Sequence, residues 1–222
     1  MGLFSFLTGK KKEDAASQPV MPPAVEPAAK ASSKPKPKHT RLSSAAYTAM
    51  AIETASKSSK SICRIAFIAF DKNGKEQARD SIYVKPAGKT FSFSDTNGIT
   101  AADVADAPSF KDVWPRIEPY VKDATVAVHY ASFAIKCLSA CLKDAGVTGV
   151  SCNFIDTHSL GKTMFPNLEE HRLEDISIEV DGHVTNPKDT MSKALAISDI
   201  VSYARENKPR VIKDCIYSMK LS

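Results

Sequence analysis

The sequence predicts an α/β fold in which a mixed sheet of three antiparallel strands, then parallel strands, carries helices on its faces. Three observations lead there. Ile62–Phe70 is an almost unbroken apolar run and reads as a buried central strand. Asn73-Gly74, directly behind it, is a strong hairpin signal. Further along, short apolar runs alternate with segments of helical period, the pattern of strands joined by crossover helices.

Taken in order, residues 1–46 are predicted to be a disordered basic tail. From Glu13 to about Ser44 there are six prolines and no aromatic residue, so too little apolar surface can be buried to offset the entropy of ordering. Lys34-Pro35-Lys36-Pro37-Lys38 reads as a stiff cationic piece of a linker. Leu3, Phe4, Phe6 and Leu7 ahead of it read as a frayed terminus or an apolar head that docks on a partner. Tyr47–Thr54, Ile62–Phe70 and Glu76–Val84 form an antiparallel meander. Pro86–Gly98 reads as a loop, and Thr100–Val104 as a short helix opened by a capping threonine. Phe110–Val121 is helical in pattern, with Pro115 and Pro119 predicting a late start or a bend. Thr125–His129 is a short buried strand, Ser132–Ala145 a helix closed by Gly146, and Asn153–Asp156 another strand. His158–Met164 and Leu173–Ser177 are short helices. Met191–Glu206 is an amphipathic helix with Leu195, Ile197, Ile200, Val201 and Ala204 on its apolar side. Residues 47–207 make one domain, and 208–222 remain as a C-terminal extension.

The formal net charge of +5 belongs to the tail alone. Residues 1–46 hold eight basic and three acidic residues, and residues 47–222 hold 22 of each. The folded part therefore has no general attraction for phosphate, and only a local patch could supply one. Five cysteines, odd in number and without CxxC spacing, exclude a disulfide framework and fit a reducing, cytoplasmic compartment. Cys137 and Cys141 share a helix face and read as small buried hydrophobes rather than as a metal pair. No apolar run reaches the roughly 18 residues of a membrane-spanning helix.

Several local patterns carry chemistry. The first strand ends in Ala51-Ile52-Glu53-Thr54. Asn97-Gly98-Ile99-Thr100 is followed by Val104 and Ala107-Pro108-Ser109-Phe110. His129-Tyr130-Ala131-Ser132-Phe133-Ala134 lies behind the fourth strand, and Asp156-Thr157 and His171-Arg172-Leu173 come later. In order and spacing these resemble the DEDDh 3′–5′ exonucleases, the ribonuclease H-like fold shared by RNase T and the proofreading subunit of bacterial DNA polymerase III. The resemblance spans roughly Tyr47 to Glu206. Where that family has Asp-x-Glu-Thr and His-Asn-x-x-Phe-Asp, this chain has alanine at both aspartate positions, Ala51 and Ala134.

The resemblance implies four carboxylates around two divalent cations about 3.5–4 Å apart, with a histidine as general base. Glu53 is the remnant of that set. The family's closing His-x4-Asp aligns with Thr185 and Thr190; His183 and Asp189 are near, but six apart rather than five. The terminal-nucleotide pocket implied by the family falls on Ile52, Thr54, Gly98, Ile99 and Phe133. In a dry cleft Glu53 should pair with a basic group or take up a proton. His129 reads as structural, and a replacement metal site of His158, His171 and His183 with Glu53 is disfavoured because no two of these histidines have close helical spacing.

The sequence leaves three readings open. One is a catalytically degenerate domain that binds a single-stranded DNA or RNA 3′ end, or a protein partner, without hydrolysis and with no cofactor. Another is an active exonuclease using Mg²⁺ or Mn²⁺ through Glu53, His183 and Asp189, with Asp95 or Asp156 drawn in. The third is an interaction scaffold whose N-terminal tail tethers a protein partner.

Overall fold

A computed structural model describes residues 45–183 and 185–222; all but the last two residues of the expected tail lie outside them. The described chain forms six strands: β1 (Ala45–Thr54), β2 (Ile62–Asp71), β3 (Glu76–Tyr83), β4 (Thr125–Val128), β5 (Ser151–Asp156) and β6 (Ile216–Lys220). They make one sheet in the order β3-β2-β1-β4-β5-β6. β1 runs antiparallel to β2 and parallel to β4, and β5 runs parallel to β4. The mixed α/β sheet is the one that the sequence predicts.

Helices cover both faces. α2 (Phe110–Val121) and α3 (Ala131–Asp144) pack on one side with Met50, Phe67, Val126 and Phe154. α4 (Thr157–Met164), α5 (Leu173–Glu179), α6 (Thr190–Asn207) and α7 (Pro209–Asp214) pack on the other with Ala49, Ala51, Ile68 and Ile155. A strand covered on both faces should be apolar throughout, and in β2 only Arg64, Phe70 and Asp71 escape full burial. The alternation of β1 sorts its side chains between the two layers: Met50 and Ile52 face α2 and α3, whereas Ala49 and Ala51 face α6.

Five expectations differ from the structure. Thr100–Val104 is a run of turns, not a helix; Thr100 N–H and Oγ1–H both donate to Asp103 Oδ2 at 2.7 Å, so the capping bonds close a turn that no helix extends. The expected loop before it contains one helical turn, α1 (Ser94–Asn97), which ends at Gly98 in the left-handed region (φ 73°). α2 runs unbroken through Pro115 and Pro119. The carbonyls left without a helical donor belong to Lys111 and Pro115, both exposed residues, where water can take the donor's place. α6 is buried or half-buried at every position from Thr190 to Val201, because the sheet, α5 and α7 enclose it. Residues 208–222, read from the sequence only as an extension, supply α7 and the edge strand β6, which pairs with β5 from Ile155↔Ile216 to Ser151↔Lys220. No helix among the described residues is long and apolar enough to cross a membrane.

Candidate functional site

The carboxyl ends of β1, β4 and β5 lie side by side, and in parallel α/β sheets ligand sites form outside such ends. Here a cavity of about 280 Å³ opens between the end of β1, the start of α3, and α5 and α6. Ala51, Ile52 and Glu53 line it from β1, Phe133 and Ala134 from α3. Five of the residues singled out by the sequence therefore converge. Ala51 and Ala134 contribute methyl groups, almost fully buried, and no donor atom.

Glu53 is not free. Lys193, one turn into α6, reaches across the cavity floor and its Nζ donates to Glu53 Oε1 at 2.5 Å. The two side chains are only 20% and 12% exposed, so the carboxylate meets the ammonium in place of water. The basic partner expected from the sequence exists, but its identity as Lys193 is new. The available signal is its position three residues after Thr190, on the helix face that passes under β1.

The substitute residues do not join the site. Asp189 is the N-cap of α6, and its Oδ1 accepts from Met191 N–H at 2.9 Å. His183 pairs through Nδ1 with Asp199 Oδ2 at 2.5 Å, beside a separate hollow lined by Val180 and Tyr203. Thr190 is buried at the start of α6, and Thr185 Oγ1 is buried without a hydrogen-bond partner. Asp95 sits in the first turn of α1. Asp156 is a structural hub: Oδ1 accepts from Tyr130 N–H and His158 N–H, both at 3.1 Å, and Oδ2 accepts from Ser159 Oγ at 3.0 Å.

Of the expected nucleotide pocket, Ile52 and Phe133 line the cavity, whereas Thr54, Gly98 and Ile99 do not. Thr54 is buried, and its carbonyl accepts from Asn97 Nδ2 at 3.0 Å. Ile99 lies in a small cluster with Ala55, Cys63 and Val104. A Cβ on Gly98 would stand 3.2 Å from the Lys188 side chain. Thr54 and Ile99 thus hold the loop to the end of β1, Gly98 lies against Lys188, and none of the three walls the cavity.

His129, Tyr130, Arg172, Leu173 and Glu174 also line the cavity, a placement that the sequence does not disclose. Thr157 Oγ1 donates to the Val128 carbonyl at 3.2 Å and so accepts from His129 Nδ1–H at 3.0 Å, which assigns the tautomer. Burial first, then the charge of His158, lowers the pKa of His129 to about 4. His158 in turn stands 6.4 Å from His171, ring to ring, while His183 lies in its own hollow, so the four-residue replacement site does not assemble.

A two-cation centre needs several oxygen ligands converging from different elements. This cavity offers two carboxylates, Glu53, already held by Lys193, and Glu174 at the start of α5, with only methyl groups at Ala51 and Ala134. Among the described residues no three His, Cys, Asp or Glu side chains converge as a ligand set. The residues present do not fit the paired cations implied by the resemblance.

Residues 49–186 match the RNase_T family model, described as exonuclease. The chain belongs to this exonuclease family. The matched span includes Ala51, Glu53, Ala134 and Thr185 and stops short of Asp189 and Thr190. A stretch of the DNA polymerase III PolC-type protein of Bacillus cereus is 32% identical over 88 residues, 40% of this chain but only 6% of that protein. Exonuclease X in complex with 5′ overhanging duplex DNA superposes with a TM-score of 0.59 at 18% identity, over 76% of this chain and 98% of that one. The zinc-bound complex of E. coli exonuclease I with single-stranded DNA gives 0.65 at 15% identity, over 76% and 42%. This RNase_T-family chain thus has the ribonuclease H-like exonuclease fold.

Proposed function

We propose that this exonuclease-family domain is catalytically degenerate and binds a nucleic-acid end without hydrolysing it. The observation that carries the reading is Lys193 on Glu53 in the cavity that Ala51 and Ala134 also line: a fixed ammonium holds the one carboxylate that remains of the set implied by the resemblance. Nucleic acid is favoured as the ligand because the structural relatives include complexes with duplex and single-stranded DNA, and because an apolar cleft end can grip bases without metals. Five unpaired, buried cysteines support a reducing, cytoplasmic setting.

Three measurements test this. Titration calorimetry with Mn²⁺ should detect no paired-site binding. Incubation of 3′-labelled DNA and RNA with Mg²⁺ or Mn²⁺ should leave them intact. Fluorescence anisotropy with short single strands at low salt should nevertheless report binding. Mn²⁺-dependent trimming that Glu53→Gln abolishes would establish the active exonuclease instead. No binding to any single strand would discard the nucleic-acid reading.

A further inference from the structure

We propose that the cleft holds the terminal nucleotide of a single strand without metal, Tyr130 giving the base a stacking face and Lys193 giving the phosphate a fixed cation, a subsite that presupposes the nucleic-acid binding proposed above. Tyr130 is the odd residue of the fold. Its φ is 61°, in the left-handed region. Asp123 and Asp181 are the other non-glycine residues there among the described residues, and aspartate tolerates that region whereas a bulky ring does not. Core burial does not compensate, since Tyr130 is 45% exposed. The strain is instead held by local contacts: the Tyr130 N–H donates to the buried Asp156 carboxylate, and the ring leans on His158 with centroids 4.3 Å apart. A strained residue that its surroundings hold in place, His129 and His158 against part of its ring and nearly half of the residue still exposed, points to use by a ligand.

Tyr130 lines the cavity, and so does Phe133, 43% exposed and one turn further on. Stacking on such rings is sequence-tolerant. An ammonium has three donors, and Glu53 takes one from Lys193, which leaves two for phosphate oxygens. Arg172 also lines the cavity but is engaged by Glu170 and Asp175, each 3.0 Å from its Nε. With Glu53 and Glu174 in the wall the lining is neutral in sum, so stacking should outweigh charge in the binding.

The test is anisotropy of the full chain with a short 5′-fluorescein-labelled oligothymidylate, in EDTA and in Mg²⁺. Affinity should be equal in the two buffers. Tyr130→Asn, which suits the left-handed backbone and should raise the melting temperature, should weaken binding about tenfold, while Tyr130→Phe should not. Lys193→Met should weaken binding and reduce the salt dependence by about one released counterion. The double variant Glu53→Gln/Lys193→Met removes the unpaired carboxylate and should stay weak if Lys193 holds phosphate. Wild-type binding that needs Mg²⁺, that ignores Tyr130→Asn, or that the double variant restores overturns this subsite while leaving nucleic-acid binding intact. Absence of wild-type binding at low salt overturns both.

Discussion

Lys193 and Glu53 meet where water is scarce, so removing one partner costs more than removing both. Lys193→Met should lower folding stability by about 2 kcal/mol, a figure discounted for the remaining exposure of the pair. Glu53→Gln/Lys193→Met should recover most of it, as read from urea denaturation. His129 supplies a pH dependence of definite sign. Its folded pKa of about 4 lies below the ordinary histidine value. Between pH 6.5 and 4 the unfolded chain therefore takes up a proton that the folded chain refuses, and stability falls as pH falls across that window. The contribution reaches on the order of 3 kcal/mol at most. His129→Gln should flatten that part of the stability–pH curve. At this scale the sequence shows the missing carboxylates at Ala51 and Ala134 and the need of Glu53 for a countercharge. It does not show Lys193, because 140 positions and most of the fold separate it from Glu53, nor the left-handed backbone at Tyr130, where neither a glycine nor an asparagine marks it.

Strands β1 and β2 are legible because both faces are covered, and β3, largely exposed at the sheet edge, because Asn73-Gly74 sets the hairpin. β6 is not, since Ile216–Lys220 is exposed at every position and shows no burial pattern. Yet Leu221, just beyond it, is buried in the cluster under α2 and α3, and its N–H donates to the Val150 carbonyl at 2.8 Å. Leu221→Ala should cost about 3 kcal/mol in chemical denaturation, far more than substitution at an exposed C-terminal extension would. Gly161 in α4 gives the opposite surprise. Glycine-to-alanine exchange within a helix ordinarily stabilises by about 1 kcal/mol. Here the new Cβ would stand 2.8 Å from Ile176 Cγ1 and closer still to its Cδ1, and Ile176 is fully buried. Gly161→Ala should therefore lower the melting temperature, and Ile176→Val in the same chain should restore part of the loss.

Across the whole molecule, helices on both sides of a mixed sheet bring the ends of β1, β4 and β5 and the start of α6 to one opening. Order and spacing of the motifs disclose that plan. They overstate the opening because Thr54 and Ile99 are buried beside the end of β1 and Gly98 lies against Lys188, which identity and spacing alone do not reveal. If the ammonium is what stands in for the cations, Ala51→Asp alone should gain no Mn²⁺ affinity. Ala51→Asp, Ala134→Asp and Lys193→Met together should gain some, measurable by calorimetry.

The tether from α6 to β1 also bears on the history open to such a chain. An acid restored at Ala51 or Ala134 would share its cavity with a lysine that Glu53 already holds, and losing the lysine first strands the Glu53 charge in a nearly dry wall. Under the degeneracy proposed above, the lysine works as a ratchet, and further change would more readily elaborate a grip than recover a blade.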